Sequence, residues 1–493
     1  MYIRNEDTIC APATVPGTGA ISVIRVSGPE AHNIANKVIK CRRGNISDAK
    51  GYTILFGTAL DASGETIDEV LVSVFRAPYS YTGENSVEIS CHASSYIVSI
   101  IMDQLYAAGA RAADPGEFTQ RAYLNGKMDL AQAEAVADVI ASQNAAAHRI
   151  AFKQMKGGFS SELKSMRGEL LELVSLMELE LDFSEEEVEF ADRSRLDSLL
   201  NQIIAHVSKL IDSFRLGNAI KNGVPVAIAG ATNTGKSTLL NALLGEDRAI
   251  VSDVHGTTRD TIEETLNIGG VLFRFIDTAG LRETEEVVEK IGIERTFKKI
   301  SEASIVLGMV DLTRDFDTTS ETVKEILDKV DFDTQKLVIL LNKTDICEVN
   351  KNVTTTNFIV LLLNNEGITS NITNTADLNH DSSENAEKTA ILVPISAKTG
   401  SGIEILRQIL AASQRDLLGD SDTTLVTNQR HVQALSDART SLLRVQEGLA
   451  LGLPTDLAAQ DIREAIYHLG SIVGEISTDE VLGNIFRNFC IGK

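Results

Sequence analysis

The sequence predicts a multidomain protein of mixed α+β and α/β class, with a small N-terminal α+β domain and a helical bundle interrupted by an inserted, doubly wound α/β domain. Short β-rich runs separated by turns fill residues 1–118. Long helical patterns stand both before residue 220 and after residue 418. Between them, apolar strand-like runs alternate with loops of phosphate-binding character. A length of 493 residues agrees with about three domains.

In the first domain, residues 21–29, 68–75 and 87–91 are rich in β-branched side chains and read as strands. Ala31–Val38 and Ser95–Ala108 are compatible with helix. From Glu117 the texture changes, and residues 121–127 lead into an alanine-rich helical pattern over 130–152. Gly157-Gly158 interrupts it, and leucines at helical spacing resume over 163–181. Residues 182–187 read as a solvated acidic turn. A helix over 193–220 then delivers the chain to the inserted domain, which a helix over 406–417 closes. Residues 428–451 and 458–472 return to the helical pattern; between them Pro454 stops one helix, and Thr455 or Asp456 caps the next. The expected boundaries are 1–118, 119–220, 221–417 and 418–493.

In the inserted domain, the apolar run Val226-Ala227-Ile228-Ala229 is followed by Gly230-Ala231-Thr232-Asn233-Thr234-Gly235-Lys236-Ser237 and then by a helix-like stretch from Thr238. This is G-x-x-x-x-G-K-S in the strand–loop–helix context of a P-loop. Its glycines let backbone N–H groups converge on phosphate oxygens, Lys236 reaches the β and γ phosphates, and Ser237 offers a hydroxyl to Mg2+. The base is chosen further on, where Asn342-Lys343-Thr344-Asp345 follows the apolar residues 337–341. A carboxylate at Asp345 accepts from the ring N–H and exocyclic amine of guanine, and adenine presents neither donor there. Ser396-Ala397-Lys398 follows a further apolar run at 391–393, as the loop that closes over the guanine. Phe273-Arg274-Phe275-Ile276 leads into Asp277-Thr278-Ala279-Gly280, where Asp277 suits an outer-sphere Mg2+ contact and the Gly280 amide reaches the γ phosphate. Four motifs in this order point to binding and hydrolysis of GTP. Residues 348–388, rich in Asn, Thr and acids, read as a surface excursion, partly disordered, with one strand at 358–363.

Composition narrows the class. A hydrophobic fraction of 43% is enough for real cores, and no apolar run approaches the roughly 20 residues of a membrane span. The first residues lack the apolar core of a signal peptide, so a cytoplasmic protein is expected. Five cysteines lie far apart without C-x-x-C, which indicates neither a disulfide framework nor a zinc site. A net charge of -23 argues against diffuse nucleic-acid binding and confines any RNA contact to a local patch.

Residues 115–127 (Pro-Gly-Glu-Phe-Thr-Gln-Arg-Ala-Tyr-Leu-Asn-Gly-Lys), 129–135, Leu181-Asp182-Phe183, Gly256-Thr257-Thr258-Arg259-Asp260 and the terminal Phe489-Cys490-Ile491-Gly492-Lys493 carry a resemblance. The chain resembles the MnmE (TrmE) family of tRNA-modification GTPases over nearly its whole length, and only 348–388 departs from the pattern. The resemblance implies a Ras-like GTPase domain and a homodimer formed through N-terminal domains that bind a tetrahydrofolate one-carbon donor. It also implies a partner flavoprotein, MnmG, which carries FAD and joins in a heterotetramer. Together they place an aminomethyl-type (carboxymethylaminomethyl) group on C5 of the wobble uridine of certain tRNAs. By motif match Arg25, Glu88, Lys127 and Lys493 contact 5-formyltetrahydrofolate; on the residues alone, Arg25 and Glu88 read as surface strand positions.

The residues also expose a problem in hydrolysis. Where small GTPases place a water-orienting Gln after Asp-x-x-Gly, this chain has Leu281, which cannot orient water. The resemblance supplies Glu289 as general base acting through a second water, and K+ in place of an arginine finger. That ion is held by Asn233, Ser252, the Val254 carbonyl and Thr257, while Thr258 joins Ser237 around Mg2+ and Asp253, His255 and Gly256 complete the loop at the nucleotide. Arg259 or Arg282 acting in trans as a finger is the alternative. Cys490 reads either as a small apolar residue or as a thiol beside the one-carbon site at Lys493. A different function class also stays open, a ribosome-assembly GTPase that switches on RNA without modification chemistry. Such proteins carry an RNA-binding domain after the GTPase, whereas this chain returns to a helical bundle.

Overall fold

The computed structural model describes residues 7–182, 193–245, 264–276, 300–301, 303–373, 388–413, 424–451, 455–475, 479–487, 489 and 492. The chain divides into two compact units, Met1–Ala141 with Ile150–Asp212 and Asn428–Lys493, and Ser142–Arg149 with Ser213–Thr427.

The first unit opens with β1 (Ile9–Pro12), β2 (Ile21–Ser27), α1 (Ala31–Val38), β3 (Ile39–Cys41), β4 (Thr53–Leu60), β5 (Thr66–Phe75), β6 (Ser86–His92), α2 (Ser95–Ala108) and β7 (Arg111–Ala112). The strands form one sheet in the order β3-β4-β5-β6-β2-β1-β7, antiparallel except for the β1–β7 pair. Along β5 the period-2 rule turns Val70, Val72 and Val74 into the core and Glu69 and Leu71 outward. Ile34 and Val38 of α1 and Ile101 and Leu105 of α2 close over the same core. The strands expected at 68–75 and 87–91 and both helices are present. β1, β3, β4 and β7 were not legible: β1, β3 and β7 are very short, and β4 is half-exposed along most of its length without clean alternation.

The chain continues through α3 (Glu117–Leu124), α4 (Leu130–Ala141), α5 (Ala145–Met155), α6 (Gly158–Asp182) and α7 (Arg193–Asn222). The single helix expected over 130–152 is two helices. Asn144 ends the continuity because its Oδ1 accepts from the Ala147 amide at 2.7 Å and so caps α5, using one of the orphan donors of a helix start. The acidic run at 183–187 lies outside the described residues.

The second unit is α/β. Its described elements are β8 (Val224–Ala229), α8 (Lys236–Leu244), β9 (Glu264–Ile268), β10 (Val271–Ile276), β11 (Ile305–Asp311), α9 (Phe316–Leu327), β12 (Lys336–Asn342), α10 (Val349–Asn365), β13 (Thr369–Ile372), β14 (Thr389–Pro394) and α11 (Ile403–Ser413). The sheet order is β13-β14-β12-β11-β8-β10-β9, parallel throughout except for the β9–β10 hairpin. All seven residues of β11 are buried, as expected of a parallel strand covered on both faces.

The expected excursion at 348–388 needs correction. Residues 358–363 are helix within α10, and the strand of this region is β13 instead. A short apolar run does not distinguish strand from helix, and here the tertiary core decides. Ile359 and Leu363, one turn apart, are fully buried in the domain core together with Ile368, whereas Leu361 is exposed. The helix and edge strand therefore belong to the domain's own core and sheet; residues 374–387 lie outside the described residues.

The chain returns to the first unit with α12 (Gln429–Ala450), α13 (Thr455–Val473) and α14 (Asp479–Arg487), of which the last was not foreseen. α13 packs against α12, α6 and α4. A buried ion cluster joins α4 to this layer: Glu134 takes Arg430 Nε at 3.0 Å and Nη2 at 2.9 Å, and His431 Nε2 at 2.6 Å. Arg430 also donates to the Ser471 and Ile472 carbonyls, satisfying orphan acceptors near the end of α13. Among the described residues no helix is long and apolar enough to cross a membrane.

Candidate nucleotide-binding site

In an open parallel sheet, ligands bind beyond the carboxyl ends of the strands where the connections diverge. Here β8 stands between β10 and β11, and the loops leaving β8, β11, β12 and β14 meet at that edge. The loop after β8 is shaped by its glycines. A Cβ at Gly230 would lie 2.5 Å from the Met309 carbonyl oxygen, and one at Gly235 would lie 2.5 Å from Asn342 Nδ2. Gly235 has φ +102°, and Asn233 is a non-glycine residue with positive φ, at 63°. The loop thereby curls round the start of α8, whose unpaired N–H groups form an anion cradle. Lys236 Nζ donates to the Gly230 and Ala231 carbonyls at 2.8 Å each, which arches the ammonium over the loop. Burial, aided by Arg314, holds its pKa below the usual lysine value.

Asn342 ties three loops together. Its Nδ2 donates to the Thr234 carbonyl at 2.7 Å, and its Oδ1 accepts from the Ala397 amide at 3.0 Å. Ser396 donates from Oγ to Asp345 Oδ1 at 2.8 Å, and Thr344 donates from Oγ1 to the Ile395 carbonyl at 3.0 Å. The exposed Asp345 is thus oriented from the loop after β14. Lys343, at φ 68°, places Nζ 2.7 Å from Asp311 Oδ2. Burial would raise the Asp311 pKa, but Lys343 and Thr313 outweigh it and hold the carboxyl below its usual range.

Asp311 and Arg314 were missed by sequence reasoning. Asp311 ends β11 and anchors Lys343, and Arg314 donates to the Thr232 carbonyl of the P-loop at 2.7 Å. The apolar run 305–310 ending in an acid was the available signal. The structure brings together Asn233, Thr234, Gly235, Lys236, Ser237 and Thr238 with Asn342, Lys343, Thr344, Asp345, Ser396, Ala397 and Lys398. Ser252, Asp253, Val254, His255, Gly256, Thr257, Thr258, Arg259, Asp277, Thr278, Ala279, Gly280, Leu281, Arg282 and Glu289 lie outside the described residues.

In the first unit, Arg25 and Glu88 are register partners on β2 and β6, and their side chains form an ion pair at 2.9 Å. The Arg25 guanidinium lies 5.0 Å from the Tyr81 ring centroid and 5.6 Å from that of Phe118, and it donates to the Gly492 carbonyl at 3.3 Å. Gly492 has φ +95°, and a Cβ there would collide with the Pro12 carbonyl oxygen. Tyr81 was not foreseen at this place. Lys127 donates to the Pro78 carbonyl at 3.0 Å. Cys490 and Lys493 lie outside the described residues.

A family model described as the MnmE helical domain matches residues 130–490, and one described as the GTP-binding protein TrmE N-terminus matches residues 8–127. The tRNA modification GTPase MnmE of Parabacteroides distasonis is 51% identical over 491 residues, covering 99% of this chain and 100% of the relative. The chain belongs to the MnmE (TrmE) family. The MnmE proteins of Bacteroides thetaiotaomicron and Flavobacterium johnsoniae are each 50% identical, again over 99% of this chain and all of theirs. Like those MnmE proteins, the chain is a GTPase.

Proposed function

We propose that this chain binds GTP at the strand-end site and hydrolyses it in the course of tRNA modification. In this reading it works with a flavoprotein partner, MnmG, that carries FAD. The pair adds a carboxymethylaminomethyl-type group to C5 of the wobble uridine of certain tRNAs, drawing one carbon from a tetrahydrofolate. The observation that carries the nucleotide part is the Asn342 tie, which fixes the phosphate loop and both base-side loops as one body. The tRNA part rests on MnmE relatives matching at about half of all positions over the full chain.

The residues present suit the ligand. The positive-φ cradle at Gly235 leaves room where any side chain would intrude, and the N-terminus of α8 favours phosphate. Lys236, now on loop carbonyls, is placed to turn to the β and γ phosphates, and Asp345 to guanine. Ser237 and Thr258 would hold Mg2+; Asn233, Ser252, Val254 and Thr257 would hold K+, with Asp253, His255 and Gly256 in the same loop. When bound, these ions supply positive charge where the transition state gathers negative charge. Asp277, Thr278, Ala279 and Gly280 would line the γ phosphate, and Glu289 would orient the attacking water in place of the apolar Leu281.

The folate site would lie at Arg25, Glu88, Lys127 and Lys493, with Cys490 beside it. Arg25 holds Glu88 in place and faces Tyr81, so a pterin would meet an oriented carboxylate and an aromatic wall. The domain reading is 1–118 for folate and homodimerisation, 119–220 and 418–493 for the helical domain, and 221–417 for the GTPase, in a cytoplasmic protein. The test is turnover by the purified chain. GTP but not ATP is expected to be hydrolysed, K+ to be required over Na+ while nucleotide binding persists in both, and Asn233→Ala to erase the difference between the ions. Equal rates in both ions, with activity lost in Arg259→Ala or Arg282→Ala, would replace the K+ reading with an arginine finger.

A further inference from the structure

Donors fix the carbonyls of the phosphate loop. Gly230 and Ala231 accept from Lys236 Nζ, Ala231 also from Thr234 Oγ1 at 2.9 Å, Thr234 from Asn342 Nδ2 at 2.7 Å and Gly235 from the Leu239 amide at 2.9 Å. Thr232 takes its donor from outside both the loop and the base-side motifs, since Arg314 Nη2 reaches its oxygen at 2.7 Å. Arg314 lies in the turn between β11 and α9, and that turn is pinned at both ends. Asp311 Oδ1 accepts from the Thr313 amide at 3.0 Å and from its Oγ1 at 2.7 Å, and Asp315 caps α9 by accepting from the Thr318 amide at 2.8 Å. Asp311 Oδ2 faces Arg314 Nε at 3.7 Å and Lys343 Nζ at 2.7 Å. One buried carboxylate thus steadies the arginine together with the loop that carries Asp345.

We infer that Arg314 is a positioning residue for GTP hydrolysis: by holding the Thr232 carbonyl it fixes the Thr232–Asn233 peptide, so that the Asn233 amide points away from the guanidinium and into the phosphate cradle. A trans peptide is planar and its C=O and N–H leave on opposite sides, so fixing the oxygen fixes the amide. Asn233 depends on such a tie. At φ 63° it holds a left-handed conformation that costs a non-glycine residue energy and persists where the surroundings determine it. P-loop amides cradle the α and β phosphates, and in hydrolysis the β phosphate belongs to the leaving GDP, which takes up negative charge as the bond to the γ phosphorus breaks. An amide aimed there binds the transition state more strongly than the ground state and acts on kcat. The inference rests on the strand-end reading of the GTP site and adds the residue that sets its phosphate loop.

The test is steady-state GTP hydrolysis by the full-length chain with Mg2+ and K+, with Lys236→Ala as the control for the site itself. Arg314→Ala is expected to lower kcat at least about tenfold while KM for GTP changes less than about threefold. Arg314→Lys, which keeps a charged donor for the Thr232 carbonyl, should turn over at a rate nearer to wild type than to Arg314→Ala. An unchanged thermal unfolding midpoint verifies that the variants fold; Arg314→Gln, which keeps part of the stem, carries the same expectation where the alanine variant unfolds. Wild-type kcat in Arg314→Ala, with Lys236→Ala inactive, would overturn the inference and leave the site reading standing. A loss carried wholly by KM would overturn it as well, because Arg314 would then brace binding alone. Wild-type turnover in Lys236→Ala would remove the reading of the site, and the inference with it.

Discussion

At the tip of β12 a single amide ties the loops of the candidate nucleotide site together, and Asp345, three residues on, is the proposed base reader. Asn342 bonds to both the P-loop and the loop after β14, while Asp345 is steadied by Ser396. In the variant Asp345→Asn the amide presents a donor where guanine's own amine donates, so GTP should bind roughly tenfold to hundredfold more weakly. Xanthosine triphosphate, with an oxygen there, should improve; unchanged GTP affinity in a nucleotide titration would remove Asp345 from base reading. That the loops carrying these residues follow strands was readable, because the sequence sets each motif after an apolar run. Asp311 and Arg314 were not, because their partners are 32 and 82 residues away in sequence and come close only through the sheet order. That Arg25 and Glu88 pair was not legible, since nothing local to 21–29 or 87–91 says that β2 and β6 are neighbours in register.

Among the elements, α10 and the start of α12 make the clearest claims. Residues 358–363 read as strand in sequence, and the core made them helix by burying Ile359 and Leu363 one turn apart. Leu363→Ala should therefore cost about 2–5 kcal/mol in denaturant unfolding of this unit, and Leu361→Ser, on the exposed side, less than about 0.5 kcal/mol. Equal costs would return the segment to a strand. In the first unit, burial alone would raise the Glu134 pKa, but His431 and Arg430 outweigh it and hold the carboxyl down to about 2, against an ordinary 4.5. Its contribution to stability is therefore fully present above pH 4.5 and is lost as pH falls towards about 2. Glu134→Gln should cost about 3 kcal/mol at neutral pH by leaving the half-buried Arg430 guanidinium without its carboxylate, and should flatten this acid limb of the stability profile. A variant as stable as wild type at pH 7 would make the cluster incidental. The break between α4 and α5 has a similar lesson: alanines flank Ser142-Gln143-Asn144 on both sides, and the Asn144 cap starts a new helix there.

For the whole molecule, the alternation of β-rich, helical, nucleotide-binding and again helical texture was readable, because each texture has its own period and turn chemistry. Less readable was how the segments assemble, since packing of the N-terminal sheet with helices from both ends of the chain into one compact unit depends on contacts hundreds of residues apart in sequence. Arg25 with Gly492 and Glu134 with Arg430 are such contacts. The central claim is that GTP turnover at the P-loop serves modification of the tRNA wobble uridine. The most direct measurement is mass spectrometry of tRNA nucleosides from cells lacking this chain, complemented either with wild type or with Lys236→Ala. The account predicts loss of the C5-substituted wobble uridine without the chain, recovery with wild type, and no recovery with Lys236→Ala; a normal level of that nucleoside in cells lacking the chain would contradict it.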